Sequence, residues 1–217
     1  MQDVLHRLKH FTVLAALLVA PLAQANPIPM VIDTSSLSGT SAQLAFDLID
    51  GGPPGNTVTI SAFSSDGTLG SFLLTGDASG SFPGTVTLGD TSFFNEYLQN
   101  IVLGTTLSFT LGTMENPANP SFTPDAFSLL FLDPTSGLPL FATSDPTGAD
   151  ALILYNIGAL NPLEIYRSDA VTVTAGNSIP LPGTLPLLVA GLFALGSRHL
   201  RPVVALTRHS LGLCRSG

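Results

Sequence analysis

The sequence predicts an all-β fold: a single antiparallel β-sandwich or jelly-roll-like domain with one short helix. Short segments alternate between apolar and polar residues, as residues 42–48 do, where Ala42, Leu44 and Phe46 share one face. Clusters of glycine, proline and aspartate, such as 50–55, separate these segments, and regular structure does not continue through them. Short strands at this spacing are typical of sandwiches and jelly rolls.

The alternation predicts eight strands, in chain order at residues 42–48, 57–63, 68–74, 85–88, 103–111, 126–132, 151–155 and 170–174. Ser-Asp-Gly at 65–67 predicts a hairpin turn after the second strand. The short helix is predicted at 92–102, because Phe93, Tyr97 and Ile101 recur every four residues. We expect this helix to close one end of the sandwich.

The predicted β-domain, residues 26–178, is strongly acidic. It contains fourteen acidic residues and one basic residue, Arg167, a net charge of −13, whereas the whole chain carries −8. Such a surface repels nucleic acid and anionic membranes, so neither is an expected partner of the domain. About 150 residues are enough for a single domain with its own core.

The first 25 residues read as a secretory signal peptide. Arg7 and Lys9 form its basic start, an apolar run follows, and Ala23 and Ala25 form a small-x-small cleavage site. An uncleaved membrane helix would need a longer apolar run. The N-terminus therefore predicts export.

The segment 179–201 predicts a membrane helix near the other terminus. No charged residue occurs over 179–197, and Arg198 and Arg201 close the segment. Lysine and arginine stay on the cytoplasmic side, so we expect the domain outside the inner membrane and residues 202–217 as a cytoplasmic tail.

This segment resembles the PEP-CTERM sorting tail of Gram-negative bacteria, in which a Pro-Glu-Pro motif precedes a Leu/Gly-rich membrane helix and a basic cluster. Leu181 replaces the usual glutamate, and residues 202–217 continue past the cluster. The positions that carry the resemblance are Pro180, Leu181, Pro182, Gly191, Arg198 and Arg201.

The resemblance implies recognition and cleavage by exosortase, a membrane cysteine protease, and release to the cell surface or an exopolysaccharide matrix. An ordinary C-terminal anchor without processing is the alternative. The exported sequence at 32–37, 43–50 and 125–130 is also similar to PEP-CTERM proteins of undetermined activity, which implies an exported β-domain and no particular chemistry.

Residue types missing from 26–178 exclude several classes of catalytic site. All histidines and the one cysteine lie in the terminal segments, at His6, His10, His199, His209 and Cys214. The domain also has no lysine. Serine-histidine, cysteine-histidine and serine-lysine catalysis therefore lack their base, a zinc site lacks its preferred ligands, and a P-loop lacks its lysine.

Carboxylates leave two further options. A glycosidase needs two carboxyl groups about 5 to 10 Å apart, and Glu96, Glu115 and Glu164 are the candidates for a general acid. Oxygen ligands also suit a structural calcium ion, for which Asp145 and Asp150 lie in the densest acidic loop. Most aspartates, however, lie in turns, where aspartate usually binds its own backbone. No cofactor is expected.

An aromatic platform for a sugar ring is the remaining candidate site. Phe94 and Tyr97, next to Phe93, could form one, although the face of these aromatics could equally pack on the core. The sequence thus predicts a non-enzymatic exported surface or exopolysaccharide-matrix protein. Its expected partners are an exosortase-type protease, the membrane before processing, and exopolysaccharide. A glycan-binding module is the alternative, and a carboxylate-pair glycosidase comes third.

Overall fold

The structure, a computed structural model, describes residues 27–52, 55–114, 123–159 and 162–176. The predicted signal peptide at 1–25, the sorting segment at 179–201 and the tail at 202–217 lie outside the described residues, so they stay predictions. Within the described part of the chain, no helix is long and apolar enough to cross a bilayer.

The described residues form twelve strands and one short 3-10 helix, which loops connect. The 3-10 helix is Ser35–Leu37. The strands are β1 (Ile28–Asp33), β2 (Ser41–Ile49), β3 (Thr57–Ser65), β4 (Thr68–Thr75), β5 (Ala78–Gly80), β6 (Val86–Gly89), β7 (Phe94–Val102), β8 (Thr106–Met114), β9 (Ala126–Leu132), β10 (Ile153–Asn156), β11 (Leu163–Ile165) and β12 (Thr172–Ala175).

The strands form two antiparallel sheets of six strands each. The first sheet has the order β12-β1-β8-β3-β6-β5, and the second has the order β11-β10-β9-β2-β7-β4. Side chains from both sheets build one hydrophobic core, as in a β-sandwich. The all-β prediction is confirmed.

Alternating burial explains why these segments are strands. In β9 every second residue is buried, and β1 and β7 show the same period of two. Phe46 of β2 lies at the centre of the core and is fully buried. Four aromatic rings surround it, at centroid distances of 5.6 Å (Phe82), 6.3 Å (Tyr97), 5.6 Å (Phe109) and 6.5 Å (Phe127). The aromatic contacts fix how the two sheets face each other.

The predicted helix at 92–102 is wrong, because Phe94–Val102 forms β7. This strand pairs with β2 over nine residues and with β4 on its other edge. A spacing of four residues also fits the period of a strand, so the spacing of Tyr97 and Ile101 did not discriminate. Asn95 and Gln99 lie buried between the apolar positions, and these polar residues hid the alternation.

Each of the eight predicted strands coincides with an observed one, and their ends differ by at most three residues. Strands β1, β5, β7 and β11 were not predicted as strands. Of these, β5 has only three residues, which are too few to show a period.

Candidate functional site

The described residues contain one cluster of three acidic side chains that could hold a metal ion. Asp50 follows β2, Asp90 follows β6 and Asp125 precedes β9. One carboxylate oxygen of each lies within 4.8 Å of those of the other two. Asp90 and Asp125 are 3% and 1% exposed, so the cluster is largely closed to solvent.

Hydrogen bonds tie this acidic cluster to the loop between β2 and β3. Both oxygens of Asp90 accept the Gly55 main-chain N–H, at 2.9 and 2.8 Å, and Oδ2 also accepts the N–H of Asn56 at 2.7 Å. Asp125 Oδ1 accepts the N–H of Gly51 at 2.9 Å, and its Oδ2 accepts the Asn56 side-chain amide at 3.0 Å. The cluster therefore binds main-chain and side-chain donors of this loop and holds the loop beside β6 and β9.

Three carboxylates offer the hard oxygen ligands that Ca²⁺ and Mg²⁺ prefer. The carboxylates are already used, however, as acceptors for the loop, and their closeness is the one feature that points to a cation. The geometry is fully explained by a structural role in holding the loop.

The predicted calcium candidates, Asp145 and Asp150, are not part of any such cluster in the described ranges. Asp145 Oδ1 accepts the N–H and the hydroxyl of Thr147 at 2.9 and 2.8 Å, and Oδ2 accepts the N–H of Ala151 at 3.2 Å. Burial would raise the pKa of Asp145, but the bonds from Thr147 and Ala151 together lower it. Asp150, at a positive φ of 58°, accepts the N–H of Thr143 at 2.8 Å. Both carboxylates thus shape their own loop.

The predicted sugar platform of Phe94 and Tyr97 is wrong. The two residues point to opposite faces of β7, and Tyr97 is fully buried. Its hydroxyl donates to Oε1 of Gln99 at 2.6 Å and accepts the N–H of Phe82 at 3.2 Å. The exposed aromatic side chains here are Phe93, 73% exposed, and Phe94, 39% exposed.

A pair of carboxylates lies on the outer face of the second sheet. Asp47 of β2 stands directly opposite Glu96 of β7, and on its other side it faces Ser128 of β9. Residues opposite each other in antiparallel strands have Cβ atoms about 5 Å apart. Asp47 Oδ1 is buried and has no hydrogen-bond partner.

Burial, and then the charge of Glu96, raises the pKa of Asp47 to about 7. Burial also raises the pKa of Glu96, although a hydrogen bond from Thr75 opposes this shift. The pKa of Asp47 therefore lies near neutral pH. Such groups occur at catalytic sites, but also where a sheet buries an acid without a partner.

The other candidates for a general acid do not join this pair. Glu115 lies outside the described residues. Glu164 lies on β11, three strands away from Asp47 and about 14 Å at the usual strand spacing. It is exposed and accepts the hydroxyl of Tyr166 at 3.1 Å.

Comparison with known proteins gave no match. No family model matches the sequence, and neither a curated protein nor a solved structure matches the chain. Functional inference therefore depends on the residues themselves.

Two further aspartates, Asp66 and Asp133, also accept hydrogen bonds from loop N–H groups. Asp66 accepts the hydroxyl of Thr105 at 2.6 Å and the N–H groups of Thr105 and Thr106 at 3.1 and 2.9 Å, and these bonds lower its pKa to about 2. Asp133 accepts the N–H and hydroxyl of Ser136, which likewise lower its pKa. These carboxylates are ionised acceptors that order turns, and they are poor proton donors.

Proposed function

We propose that this chain is a non-enzymatic protein exported to the cell surface or to an exopolysaccharide matrix, and sorted there by an exosortase-type protease acting on 179–201. Two features of the sequence support export: the signal peptide at 1–25 and the uncharged segment that Arg198 and Arg201 close. The membrane holds the chain through this segment until the protease releases it.

The observation that carries the non-enzymatic role is the use of the acidic side chains. The described domain has no histidine, cysteine or lysine, and one arginine. Its loop aspartates, including Asp66, Asp90, Asp125, Asp133 and Asp145, accept hydrogen bonds from main-chain N–H groups. The acids therefore stabilise the turns and keep the surface negative, which favours a soluble scaffold at a polar surface.

Cell fractionation tests this proposal. We expect the wild-type domain in the surface or exopolysaccharide fraction of its own cells. The double substitution Pro180→Ala with Pro182→Ala should leave the chain in the membrane fraction, because it removes the prolines of the sorting motif. A matched control, Pro29→Ala, alters a proline of β1 and should fractionate as wild type. Full-length chain dissolved in the cytosol would contradict the proposal.

A glycan-binding module is the second candidate, and the exposed aromatics favour it. Phe93 and Phe94 are adjacent and open to solvent, next to the half-exposed Ile49 opposite Phe94. Sugar rings stack on such apolar faces. A glycan array with the wild-type domain and with Phe93→Ala tests this candidate. Binding that the substitution abolishes would support it, and a blank array would remove it.

A glycosidase that uses a pair of carboxylates is the third candidate function. It is favoured by the position of Asp47 opposite Glu96 on neighbouring strands. Neighbouring strands place the two carboxyls at the short separation used by retaining glycosidases. The pair lies outside the cleft of about 310 Å³ that is lined by Ser41, Leu69 and Ile101, so that cleft does not hold a substrate against these two acids. Turnover of a glycoside panel that Asp47→Asn abolishes would promote this candidate to first.

A further inference from the structure

Strand β4 presents an unprotected edge of the second sheet. Within the described residues it pairs with β7 on one side and is the last strand of its sheet. All eight of its residues are exposed, and none is charged or proline. Edge strands direct main-chain N–H and C=O groups outward, and proteins usually blunt such edges with lysine, proline or short length.

Large apolar side chains occupy both faces of β4. Leu73, opposite Leu98, is on the outer face and is 58% exposed. Phe72 and Leu74 stand opposite the buried Gln99 and Tyr97, so they face the interior, yet they are 46% and 39% exposed. The cause is the opposing sheet, which ends in the three-residue strand β5 and covers little of β4.

The exposed area is large enough for a weak interface. Leu69, Phe72, Leu73 and Leu74 are 36%, 46%, 58% and 39% exposed. At about 200 Å² for a fully exposed large side chain, they present roughly 350 Å² of apolar surface. Two copies would bury at most about 700 Å² of it in addition to the main-chain edge, which is the size of a weak, transient complex.

The distribution of charge on the domain indicates which partner can bind at this edge. The domain at 26–178 carries −13, so a second copy is repelled by most of its surface. Residues 68–75 carry no charge, so two copies can pair along this strand without placing carboxylates within the paired segment. The strand itself offers a cationic partner no ion pair. The occupant that the surface fits is therefore another copy of this chain.

We propose that β4 is a self-association edge, at which two copies pair antiparallel and join their second sheets into one sheet of twelve strands. A two-fold axis perpendicular to the sheet keeps Phe72 and Leu74 of both copies on the same side, where they cover each other's open ends. The main chain supplies the hydrogen bonds and the apolar side chains supply the affinity. From its area we expect a dimer with a Kd weaker than about 1 μM. The proposal does not depend on export or sorting.

Cross-linking of the full chain in an uncharged detergent tests the geometry. The native cysteine is replaced by Cys214→Ser, and Leu73→Cys is introduced. A bismaleimide spanning about 15 Å tolerates an offset of two residues at 3.4 Å per residue. We expect a covalent dimer. The control is Val31→Cys, 45% exposed on β1, which is paired with β12 and β8 on its two sides. No cross-link at Leu73→Cys, or equal cross-linking at Val31→Cys, would overturn the proposal.

Sedimentation equilibrium of the same full-length chain tests the energetics. Leu74→Lys places a charge on the inner face, which the partner copy covers in the dimer, so we expect the Kd to rise at least tenfold (on the scale of ~1.4 kcal/mol). Val31→Lys should leave the Kd unchanged. A wild-type chain that stays monomeric at about 1 mM would overturn the proposal. A dimer that Leu74→Lys leaves intact would also overturn it, and would assign association to another segment such as 179–201.

Discussion

Replacing Asp47 with asparagine should stabilise the domain at neutral pH. Asp47 faces Glu96 across the strand pair, and its Oδ1 is buried without a hydrogen-bond partner. Because burial and the Glu96 charge raise its pKa to about 7, the folded state favours the protonated carboxyl. Asparagine resembles that neutral form and can donate its amide hydrogens to Glu96.

The sign of the pH dependence follows from this shift. The unfolded chain releases the proton near the ordinary value of 3.8, and the folded chain releases it near 7. Between these values the folded state binds more protons, so the free energy of unfolding falls as pH rises, and the loss is complete above about pH 7. At about 1.4 kcal/mol per pKa unit, Asp47→Asn should gain roughly 2 to 4 kcal/mol at pH 8 and almost nothing at pH 3.5.

Guanidinium unfolding at several pH values between 3.5 and 8 measures this gain. Glu164→Gln is the control, since that carboxylate lies exposed on the same sheet and accepts a bond from Tyr166. Glu96→Gln should also stabilise the domain at pH 8, because it removes the charge that repels Asp47. A loss of stability in Asp47→Asn at pH 8, or a difference that does not change with pH, would refute the reasoning.

Three further predictions concern the core and the loops. Phe46→Ala should lower the free energy of unfolding by about 3 to 5 kcal/mol, because it removes a fully buried ring at the centre of the core. A loss below about 1 kcal/mol in the same denaturation assay would mean that the core is not packed as described. Asp66→Asn should lower the Tm at pH 7 and lower it much less near pH 2. The pKa of Asp66 is lowered to about 2, so its contribution to stability is present above pH 4 and is lost as the pH falls through 2. An equal drop at both pH values would contradict this. Asp90→Ala should speed amide hydrogen exchange at Gly55 and Asn56, because the Asp90 carboxylate accepts their N–H groups. Unchanged exchange, measured by mass spectrometry, would show that the loop does not depend on this carboxylate.

The strands with clean alternation could be predicted from the sequence. Residues 42–48 and 126–132 place an apolar side chain at nearly every second position, and both form strands at these positions. In β7, Asn95 and Gln99 occupy inward positions and are satisfied there by other strands and loops, for example by the Leu48 carbonyl. Such partners are distant in the chain, so local patterning could not reveal them.

Less of the candidate site than of the fold could be predicted from the sequence. Aspartate before glycine correctly suggested breaks between strands, but the hairpin predicted at 65–67 is wrong, because β3 and β4 belong to different sheets. The partners of Asp90 and Asp125 lie 34 to 74 residues away. Asp47 had the signal of an outward polar position in a strand, and nothing local showed that Glu96 would stand opposite it. Strand pairing decides both sites, and pairing between distant segments is a property of the whole fold.

The mass of the released protein tests the central claim of export and sorting most directly. Intact-mass analysis of extracellular material should find a chain that begins at Asn26 and ends before Arg198, because one protease removes the signal peptide and another cuts the sorting segment. A secreted chain that ends at Gly217, or a polypeptide that still begins at Met1, would contradict this account.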